Sequence, residues 1–245
     1  MKDFQLDVNG HLITAKFDED NIQNIFIPLL KKWTHMQKEK NQRILILLAA
    51  PPGCGKTTTS LFLEYLSHHI DKITPIQTIG MDGFHRYQDY LDCHYIQRDG
   101  NQILMKEVKG CPETFDVHKF IEKIKETKRQ DTYWPLYNRA MHNPEENKVF
   151  INSPIVLIEG NYLLLNEEPW NDIYKLFDDS LFIEADPLEL EKRLISRKML
   201  GGIPYHQASH FYIKSDGVNV LRVLNNSLKA NTHLMMKNNI FKVVK

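Results

Sequence analysis

The feature that most constrains this chain is the segment APPGCGKT, from Ala50 to Thr57. It follows the apolar run RILILLAA, which is typical of a central parallel strand buried on both faces. It opens a stretch that we predict to be a helix from Lys56 to about His68. A strand, a glycine-containing loop and a helix in this order are the context of a Walker A loop, or P-loop, which binds nucleotide phosphates. Ala50 stands where the usual pattern has glycine, and alanine is acceptable there if its φ is negative. The alternative is an accidental glycine-rich turn before a helix.

The residue types in this loop suit phosphate binding. Gly53 and Gly55 let backbone amides approach phosphate oxygens, and the helix start directs a partial positive charge at the same anion. We predict that the Lys56 ammonium reaches the β- and γ-phosphates and that the Thr57 hydroxyl is a Mg²⁺ ligand. Cys54 is predicted to be a small filler, although a helix start can lower the pKa of a thiol and make it sensitive to oxidation. The predicted nucleotide contacts are Gly53, Cys54, Gly55, Lys56, Thr57, Thr58 and Arg193.

Carboxylates follow two further predicted strands. Asp82 follows the apolar run from Ile76 to Met81, in IGMDGFHR, and Glu159 ends the run in IVLIEGN. Because open α/β folds bind ligands at the carboxyl ends of their strands, both side chains are placed for function. We interpret Asp82 as a base that accepts the proton of an attacking hydroxyl, with a simple Asp-Gly turn as the alternative. Glu159 is predicted to hold Mg²⁺ directly or through water.

Two arginines predict a lid over the phosphates. Arg193 and Arg197 lie four residues apart on one face of a predicted helix, just before a Gly-Gly pair that can serve as a hinge for a lid at residues 193–215. Their guanidinium groups would close on the transferring phosphoryl group, and Arg197 is the catalytic candidate of the two. The alternative is a solvated helix face on which Glu189 and Arg193 form an i,i+4 ion pair.

Several side chains are candidates for the pocket of the phosphate acceptor. The predicted substrate contacts are His85, Tyr137 and Arg139, with Arg86 and His142 as further candidates. Thr114 and Asp116 precede the amphipathic segment VHKFIEKI. Helix capping and substrate contact are equally good interpretations of these two residues.

The remaining patterns predict strands that alternate with helices. FQLDVNGHLITAKF alternates around Asn9-Gly10 and predicts a β-hairpin, and apolar residues from Ile22 to Met36 recur at helical spacing. The later alternation implies βαβ units and an α/β fold with a mostly parallel sheet. The further predicted elements are strands at Ile155 to Ile158 and Leu181 to Ile183, and helices at Val117 to Thr127 and Leu188 to Leu200.

These elements predict two units. We assign residues 1–40 to an N-terminal hairpin and helix and residues 41–245 to a P-loop domain. The stretch from Tyr87 to Cys111 has no clear periodicity, so we expect loops or a partly mobile insertion on the substrate side.

Charge and composition exclude several classes of protein. Because 31 basic residues balance 31 acidic ones, no global field draws the chain to nucleic acid or to an anionic membrane. No apolar run is long enough to span a bilayer and the start MKDFQLDVNG lacks the apolar stretch of a signal peptide, so we expect a cytoplasmic protein. Cys54, Cys93 and Cys111 form no paired framework and no zinc spacing, which predicts reduced thiols.

Several segments, in a fixed order, resemble the phosphoribulokinase and uridine kinase family of P-loop kinases, which includes bacterial-type pantothenate kinase. The likeness is greatest to a branch described as nucleoside/nucleotide kinases or fructose-transport-system kinases. The N-terminal hairpin and helix lie outside the resemblance. The matching segments, which run from about Arg43 to Asn219, are APPGCGKTT, MDGFHR, KGCPETFDV, YNRAMHNP, IEGNYLLLNEEPW, RLISR and SDGVN.

The resemblance implies a three-layer, Rossmann-like P-loop NTPase fold, ATP as donor, Mg²⁺ as cofactor and a small hydroxyl compound as acceptor. Asp216 and Asn219 match a family motif to which we assign no role. RKMLGG is sparser in arginine than the lid of uridine kinases, so uridine itself is a weaker expectation. The implied roles are a catalytic base for Asp82, ATP and Mg²⁺ binding for Lys56 and Thr57, a second-strand carboxylate for Glu159, a substrate contact for Arg139 and a lid arginine for Arg197.

Three functions agree with these features. The first is a kinase that phosphorylates a hydroxyl of a sugar, a nucleoside or a pantothenate-like metabolite. The second is an ATPase in which hydrolysis drives a conformational change and water replaces the acceptor. The third is a non-catalytic nucleotide sensor, against which Asp82 and Glu159 argue because a sensor needs neither a base nor a metal ligand. A homodimer is one candidate assembly.

Overall fold

The chain begins with an antiparallel hairpin. The computed structural model describes residues 1–8, 11–98 and 100–244. Strands β1 (Lys2–Val8) and β2 (His11–Phe17) pair antiparallel, as the alternating pattern predicts. The predicted Asn9-Gly10 turn lies outside the described residues.

A long helical segment follows the hairpin where the apolar spacing predicts it. It consists of a single helical turn, α1 (Glu19–Asn21), a π-helical turn at Ile22–Phe26 and the helix α2 (Ile27–Lys40). The Asp18 carboxylate accepts a hydrogen bond from the Asn21 amide and so caps the start.

The P-loop connects the first central strand to its helix. Strand β3 (Ile44–Ala49) is buried along its whole length, helix α3 (Lys56–His69) follows the loop, and strand β4 (Ile76–Gly80) comes next. The N-terminal hairpin packs on this unit, because the Phe17 ring stacks on Phe62 of α3 with centroids 3.7 Å apart. Residues from both parts therefore share one buried cluster, and the division at residue 40 stays a prediction.

The stretch from Tyr87 to Cys111, for which we expected loops, contains regular structure. It holds a short helix, a small hairpin and a 3₁₀ turn at Met105–Val108. The elements between β4 and the next central strand are α4 (Gln88–Leu91), β5 (Tyr95–Arg98), β6 (Asn101–Leu104), α5 (Val117–Arg129), β7 (Thr132–Asn138) and β8 (Asn143–Ile151).

The rest of the chain completes the central sheet and forms the lid region. A π-helical turn at Tyr212–Asp216 lies between two of its helices. The elements are β9 (Ile155–Gly160), β10 (Asp179–Ala185), α6 (Pro187–Leu200), α7 (Tyr205–Phe211), α8 (Gly217–Asn226), β11 (Thr232–Lys237) and β12 (Ile240–Val243).

The central sheet confirms the predicted α/β, mostly parallel fold. Its six strands have the order β12-β11-β10-β3-β9-β4, and every pair is parallel except β11 with β12. Alternate residues of β3 enter different cores: Ile46 packs in the cluster that contains Trp33, and Leu47 in the cluster that contains Trp134. Both faces of the sheet are covered, which gives three layers. Among the described helices, none combines the length and the apolar character needed to cross a membrane.

Candidate active site

Strand register brings three strand ends together beside the P-loop. Ala49, the last residue of β3, pairs with Gly160 of β9, while Gly80 at the end of β4 pairs with Glu159. Because these strands are parallel, the P-loop, Glu159 and the turn after β4 share one edge of the sheet.

Gly53 and Gly55 give the P-loop its shape. Both have positive φ values, +81° and +76°, which side chains rarely adopt. A Cβ atom on Gly53 would lie 3.0 Å from the Leu194 side chain of α6, so this glycine lets the lid helix pack directly on the loop. A Cβ on Gly55 would meet no atom within 4 Å. The loop is therefore open at the start of α3, where amides are available to an anion.

Cys54 fills the space beneath the loop. It is fully buried, and its thiol donates a hydrogen bond to the Ile183 carbonyl at 3.5 Å. Burial raises the pKa of this thiol to about 12, which outweighs the nearby Arg193 and Lys56 charges. The interpretation as a filler agrees with this geometry, whereas a reactive thiol at the helix start does not.

Lys56 and Thr57 converge on Glu159. The Thr57 hydroxyl donates to Glu159 Oε1 at 2.8 Å, and Lys56 Nζ lies 3.9 Å from Oε2. Burial raises the pKa of Glu159, and the Lys56 ammonium opposes that shift. Among the described residues, Oε2 has no hydrogen-bond partner. A buried carboxylate with one uncommitted oxygen beside a threonine hydroxyl fits a Mg²⁺ site, since this cation prefers oxygen ligands. Thr58, one residue further in α3, is half-buried.

Asp82 lies across the cleft from this carboxylate, in a 3₁₀ turn at Met81–Phe84 directly after β4. Gly83 allows the turn to touch β7, because a Cβ atom there would be 2.2 Å from the Pro135 carbonyl oxygen. Asp82 Oδ2 lies 3.7 Å from an Arg139 guanidinium nitrogen, and the Asp82 side chain is 46% exposed. The carboxylate is thus open to an incoming ligand, with one cation at its side.

The three predicted substrate contacts surround Asp82. Arg139 forms the ion pair just described, and the His85 ring lies 4.9 Å from the Tyr137 ring. His85 Nδ1 lies 2.8 Å from the Asp82 carbonyl oxygen, which can only accept, so Nδ1 carries the proton. Burial lowers the pKa of His85, and burial with the Asp82 charge raises the pKa of Tyr137. Both rings are therefore neutral at pH 7.

A cleft of about 610 Å³ joins the side chains of Thr57 and Glu159 to those of Asp82, Tyr137 and Arg139. Its wall includes Asp7 of β1, a position that sequence analysis did not single out. The predicted site residues that line it are Thr57, Asp82, Tyr137, Arg139 and Glu159.

The lid arginines differ in their contacts. Arg193 is held by Glu189 at 2.5 Å and by Asn239 Oδ1 at 3.1 Å, so the i,i+4 pair offered as its alternative is present. Arg197 is exposed, and its side chain has no hydrogen bond or ion pair with any residue that the structure describes. Lys198, which sequence analysis did not select, points inward: its Nζ lies 3.5 Å from Asp216 Oδ2 and 3.6 Å from the centre of the Phe211 ring.

The remaining candidates have structural partners. Asp116 accepts a hydrogen bond from the Lys119 amide at 3.1 Å and caps α5, and it also pairs with Arg86 at 3.7 Å. Thr114 donates to the Cys111 carbonyl at 2.7 Å. The capping interpretation of Asp116 is therefore confirmed. His142 has a φ of +52°, and its carbonyl accepts a hydrogen bond from Lys109.

Comparisons with known proteins agree with this geometry. Residues 45–200 match the model of the "Phosphoribulokinase / Uridine kinase family". "Uncharacterized protein YggC" of Escherichia coli is 41% identical over 93% of this chain and 92% of its own. "Putative uridine kinase C227.14" of Schizosaccharomyces pombe is 30% identical over 75% of each chain. The crystal structure of a "putative fructose transport system kinase" from Silicibacter sp. TM1040 superimposes with a TM-score of 0.70 at 28% identity, covering 80% of this chain and 90% of that one.

Proposed function

The chain belongs to the phosphoribulokinase and uridine kinase family, and on this premise we propose that it is a kinase that transfers the γ-phosphoryl group of ATP to a hydroxyl of a small metabolite. The observation that carries the proposal is the cleft in which Asp82 faces Thr57 and Glu159. A phosphate cradle alone would serve an ATPase or a sensor equally well. An open carboxylate opposite the metal-binding oxygens is what a kinase adds.

ATP and Mg²⁺ fit the residues at the P-loop. The open start of α3 would receive the phosphates, with the Lys56 ammonium beside the transferring group. Thr57 and Glu159 would hold Mg²⁺, and the uncommitted Glu159 oxygen supports that role. When bound, Mg²⁺ neutralises charge on the phosphate oxygens.

Asp82 would position and deprotonate the acceptor hydroxyl. Its side chain is half-exposed at the wall of the cleft, so a hydroxyl can reach it. Arg139 lies close enough to stabilise the carboxylate and to contact the acceptor. The neutral His85 and Tyr137 rings supply hydrogen-bonding groups without adding charge to the pocket.

The acceptor belongs to the metabolite classes named for relatives. The S. pombe relative is named for uridine, a pantothenate kinase of Enterococcus faecalis is 26% identical over 72% of this chain, and the Silicibacter protein is named for fructose transport. We propose a sugar, a nucleoside or a pantothenate-like compound as the acceptor class.

Three measurements on the purified chain test the proposal. Calorimetry should detect ATP binding that depends on Mg²⁺, and ADP formation should rise when a productive hydroxyl compound is added. Mass spectrometry should find the phosphorylated acceptor. Phosphate release that no added compound changes would favour the ATPase, and binding without turnover would favour the sensor. Absence of magnesium-dependent ATP binding would remove all three.

A further inference from the structure

The N-terminal hairpin, formed by β1 and β2, reaches the cleft that contains Asp82 and Glu159. Asp7 of β1 lines this cleft of about 610 Å³ together with both of those carboxylates. Ligand pockets commonly have volumes of about 300–1,000 Å³, so the cleft is large enough for a metabolite. The hairpin lies outside residues 45–200, the range that matches the family. The family likeness therefore gives Asp7 no role, although the residue lines the same cleft as Asp82.

Packing on α3 holds the hairpin in place. The Phe17 ring of β2 stacks on Phe62 of α3 with centroids 3.7 Å apart. Leu6, the neighbour of Asp7 in β1, is only 5% exposed and belongs to the same buried cluster. Because side chains alternate along a strand, Asp7 points away from this cluster, and it is exposed. Asp7 is thus an accessible carboxylate on a firmly packed support.

Strand β1 carries Asp7 toward the start of α3. The Phe4 ring lies 4.6 Å from that of Phe62 and 5.7 Å from that of Tyr65. Three further strand residues span roughly 10 Å, which corresponds to about six or seven residues of helix. Asp7 therefore lies level with the first turns of α3. Thr57, in the first of these turns, lines the same cleft.

The lining of the cleft is rich in carboxylates. Among the described residues that line it, Arg139 is the one cation, and the acids are Asp7, Asp82, Glu145 and Glu159. Two further cations lie next to lining residues: Lys148 is 3.1 Å from Glu145, and Lys56 is 3.9 Å from Glu159. Even with both of these cations counted, the carboxylates outnumber the positive charges by four to three.

The chemistry of a carboxylate restricts what can contact Asp7. An ionised carboxylate accepts hydrogen bonds and donates none, so a group that meets it has to supply an N–H or an O–H. Donors line other parts of the cleft, at Thr78, Tyr137 and Arg139, so an anionic group of a ligand can bind there. The restriction therefore applies only to the part of a ligand that reaches Asp7.

We propose that Asp7 is an acceptor-binding residue. Its carboxylate accepts a hydrogen bond from a hydroxyl or amino group of the phosphate acceptor other than the hydroxyl that reacts at Asp82. The N-terminal hairpin thereby determines part of the substrate specificity of this chain. The inference rests on the proposed kinase function and extends it to an element outside the range that matches the family.

The experiment uses the full chain with ATP, Mg²⁺ and a small-molecule extract of Escherichia coli, the source of the 41% identical relative. Mass spectrometry identifies the compounds that gain a phosphoryl group, and steady-state kinetics then gives kcat and KM for the main acceptor. Magnesium-dependent ATP binding is measured separately by calorimetry. The variants are Asp7→Asn, which removes the charge, and Asp7→Lys, which reverses it.

Two exposed residues on the same face of β1 provide matched controls. Asp3→Asn removes a carboxylate that lies 3.9 Å from Lys16 and does not line the cleft. Gln5→Lys introduces a positive charge two residues from Asp7, at a side chain whose amide donates to Thr14 Oγ1 at 3.0 Å. Thermal melting checks that every variant is folded.

We expect Asp7→Asn to raise the KM of the acceptor by about 10-fold to 100-fold, the effect of weakening a hydrogen bond to a charged group. Asp7→Lys should raise this KM further and shift the phosphorylated compounds toward acidic ones, because a lysine attracts the groups that Asp7 repels. The kcat and the KM of ATP should stay constant, since Asp7 lies outside the P-loop. Asp3→Asn and Gln5→Lys should change neither the kinetics nor the products, so a purely structural effect would not give this pattern.

Contrary results separate the inference from the proposed function. If Asp7→Lys keeps both the acceptor KM and the set of products, the inference fails while the kinase function stands. A changed KM of ATP with a constant acceptor KM also overturns it, because Asp7 would then act on the nucleotide. So does an equal loss of acceptor affinity in Gln5→Lys, which would indicate a general effect of charge.

Absence of any phosphorylated product with the wild-type chain would instead overturn the proposed function, and the inference with it. Should thermal melting show that Asp7→Lys is unfolded, the nearly isosteric Asp7→Asn carries the same test through the acceptor KM.

Discussion

Two parts of the site differ in how firmly their side chains are held. One is the proposed phosphate cradle, which consists of the P-loop with Lys56, Thr57 and Glu159, and the other is the proposed acceptor side, which consists of Asp82 and Arg139. In the cradle, the P-loop starts at a fully buried strand end, and the Thr57 hydroxyl and Lys56 ammonium are already directed at Glu159. On the acceptor side, the Asp82 carboxylate is 46% exposed and its Arg139 partner is 66% exposed. The cradle is preorganised by the sheet, whereas the acceptor side leaves its functional groups open.

This difference indicates that the cradle provides triphosphate binding and that the acceptor side provides specificity for the second substrate. Backbone amides and one ammonium recognise any triphosphate, so the cradle needs rigidity but little choice of side chain. In the proposed reaction the acceptor side has to distinguish one hydroxyl compound from others, which requires particular side chains that are satisfied only by that compound. Variants in the cradle should therefore abolish every reaction with ATP, while variants on the acceptor side should spare ATP binding.

Lys56→Ala should have the largest effect. Removing the cation beside the transferring phosphoryl group should lower kcat/KM by on the order of 10³–10⁵, the range observed when a cation that stabilises the transition state is lost. Steady-state ADP formation measures the change, and Lys192→Ala, an exposed lysine of α6, is the control. A Lys56→Ala variant with near-normal turnover would show that the cradle is not the nucleotide site.

Asp82→Asn should separate the effects of the two sides, because it should lower turnover without weakening ATP binding. The amide keeps the shape of the carboxylate but cannot take a proton, so kcat should fall by about 10²–10⁴. The affinity for ATP, measured by calorimetry, should change little because Asp82 lies outside the cradle. Asp89→Asn, the same substitution at an exposed residue of α4, provides the comparison. Unchanged turnover in Asp82→Asn would refute its role as base.

The cradle could be predicted from the sequence because its signals are local. The apolar run of β3, the loop glycines and the helix spacing of α3 are contiguous, and the rule for parallel strands then places Asp82 and Glu159 at one edge. The structure agrees with each of these predictions. Local pattern and tertiary packing favour the same arrangement here.

On the acceptor side the sequence located Asp82, Tyr137 and Arg139, which line the cleft, but other parts of the molecule could not be predicted in the same way. Strands β5 and β6 have four residues each and are largely exposed, so they carry no periodic signal. Which of the neighbouring residues Arg197 and Lys198 points inward depends on the rotation of α6 about its axis. Packing of Leu194 on Gly53 determines that rotation, and spacing within the helix does not reveal it. Asp7 reaches the cleft only through the packing of the hairpin on α3.

Arg197→Ala and Arg193→Ala test which lid arginine acts on the phosphoryl group and which one only stabilises the fold. Arg197 is exposed and makes no side-chain bond to a described residue, so it is available to the phosphoryl group, and its loss should lower kcat by ~10²-fold. Arg193 is fastened to Glu189 and Asn239, so its loss should lower the free energy of unfolding by about 0.5–1 kcal/mol instead.

Kinetics with thermal and urea melting distinguishes these outcomes. Glu189→Gln should reproduce the stability loss of Arg193→Ala, because it removes the same ion pair. If Arg193→Ala instead raises the KM of ATP with unchanged stability, then Arg193 rather than Arg197 contacts the nucleotide.

Alkylation of the cysteines should have the smallest effect on activity. It nevertheless tests whether the cradle is closed to solvent, as the comparison with the open acceptor side requires. Cys54 beneath the P-loop and Cys111, which packs with Ile96 and Val108, are buried, and burial raises the pKa of each thiol to about 12. At pH 8 only ~10⁻⁴ of either thiol is ionised, so both should resist iodoacetamide, whereas the exposed Cys93 beside α4 should react.

Mass spectrometry should find one label per chain in the native protein and three in urea. Turnover should be unchanged after the single modification, since Cys93 belongs to neither the cradle nor the lining of the cleft. Rapid native labelling of Cys54 would mean that the loop opens far enough to admit solvent, and the cradle would then be no more preorganised than the acceptor side.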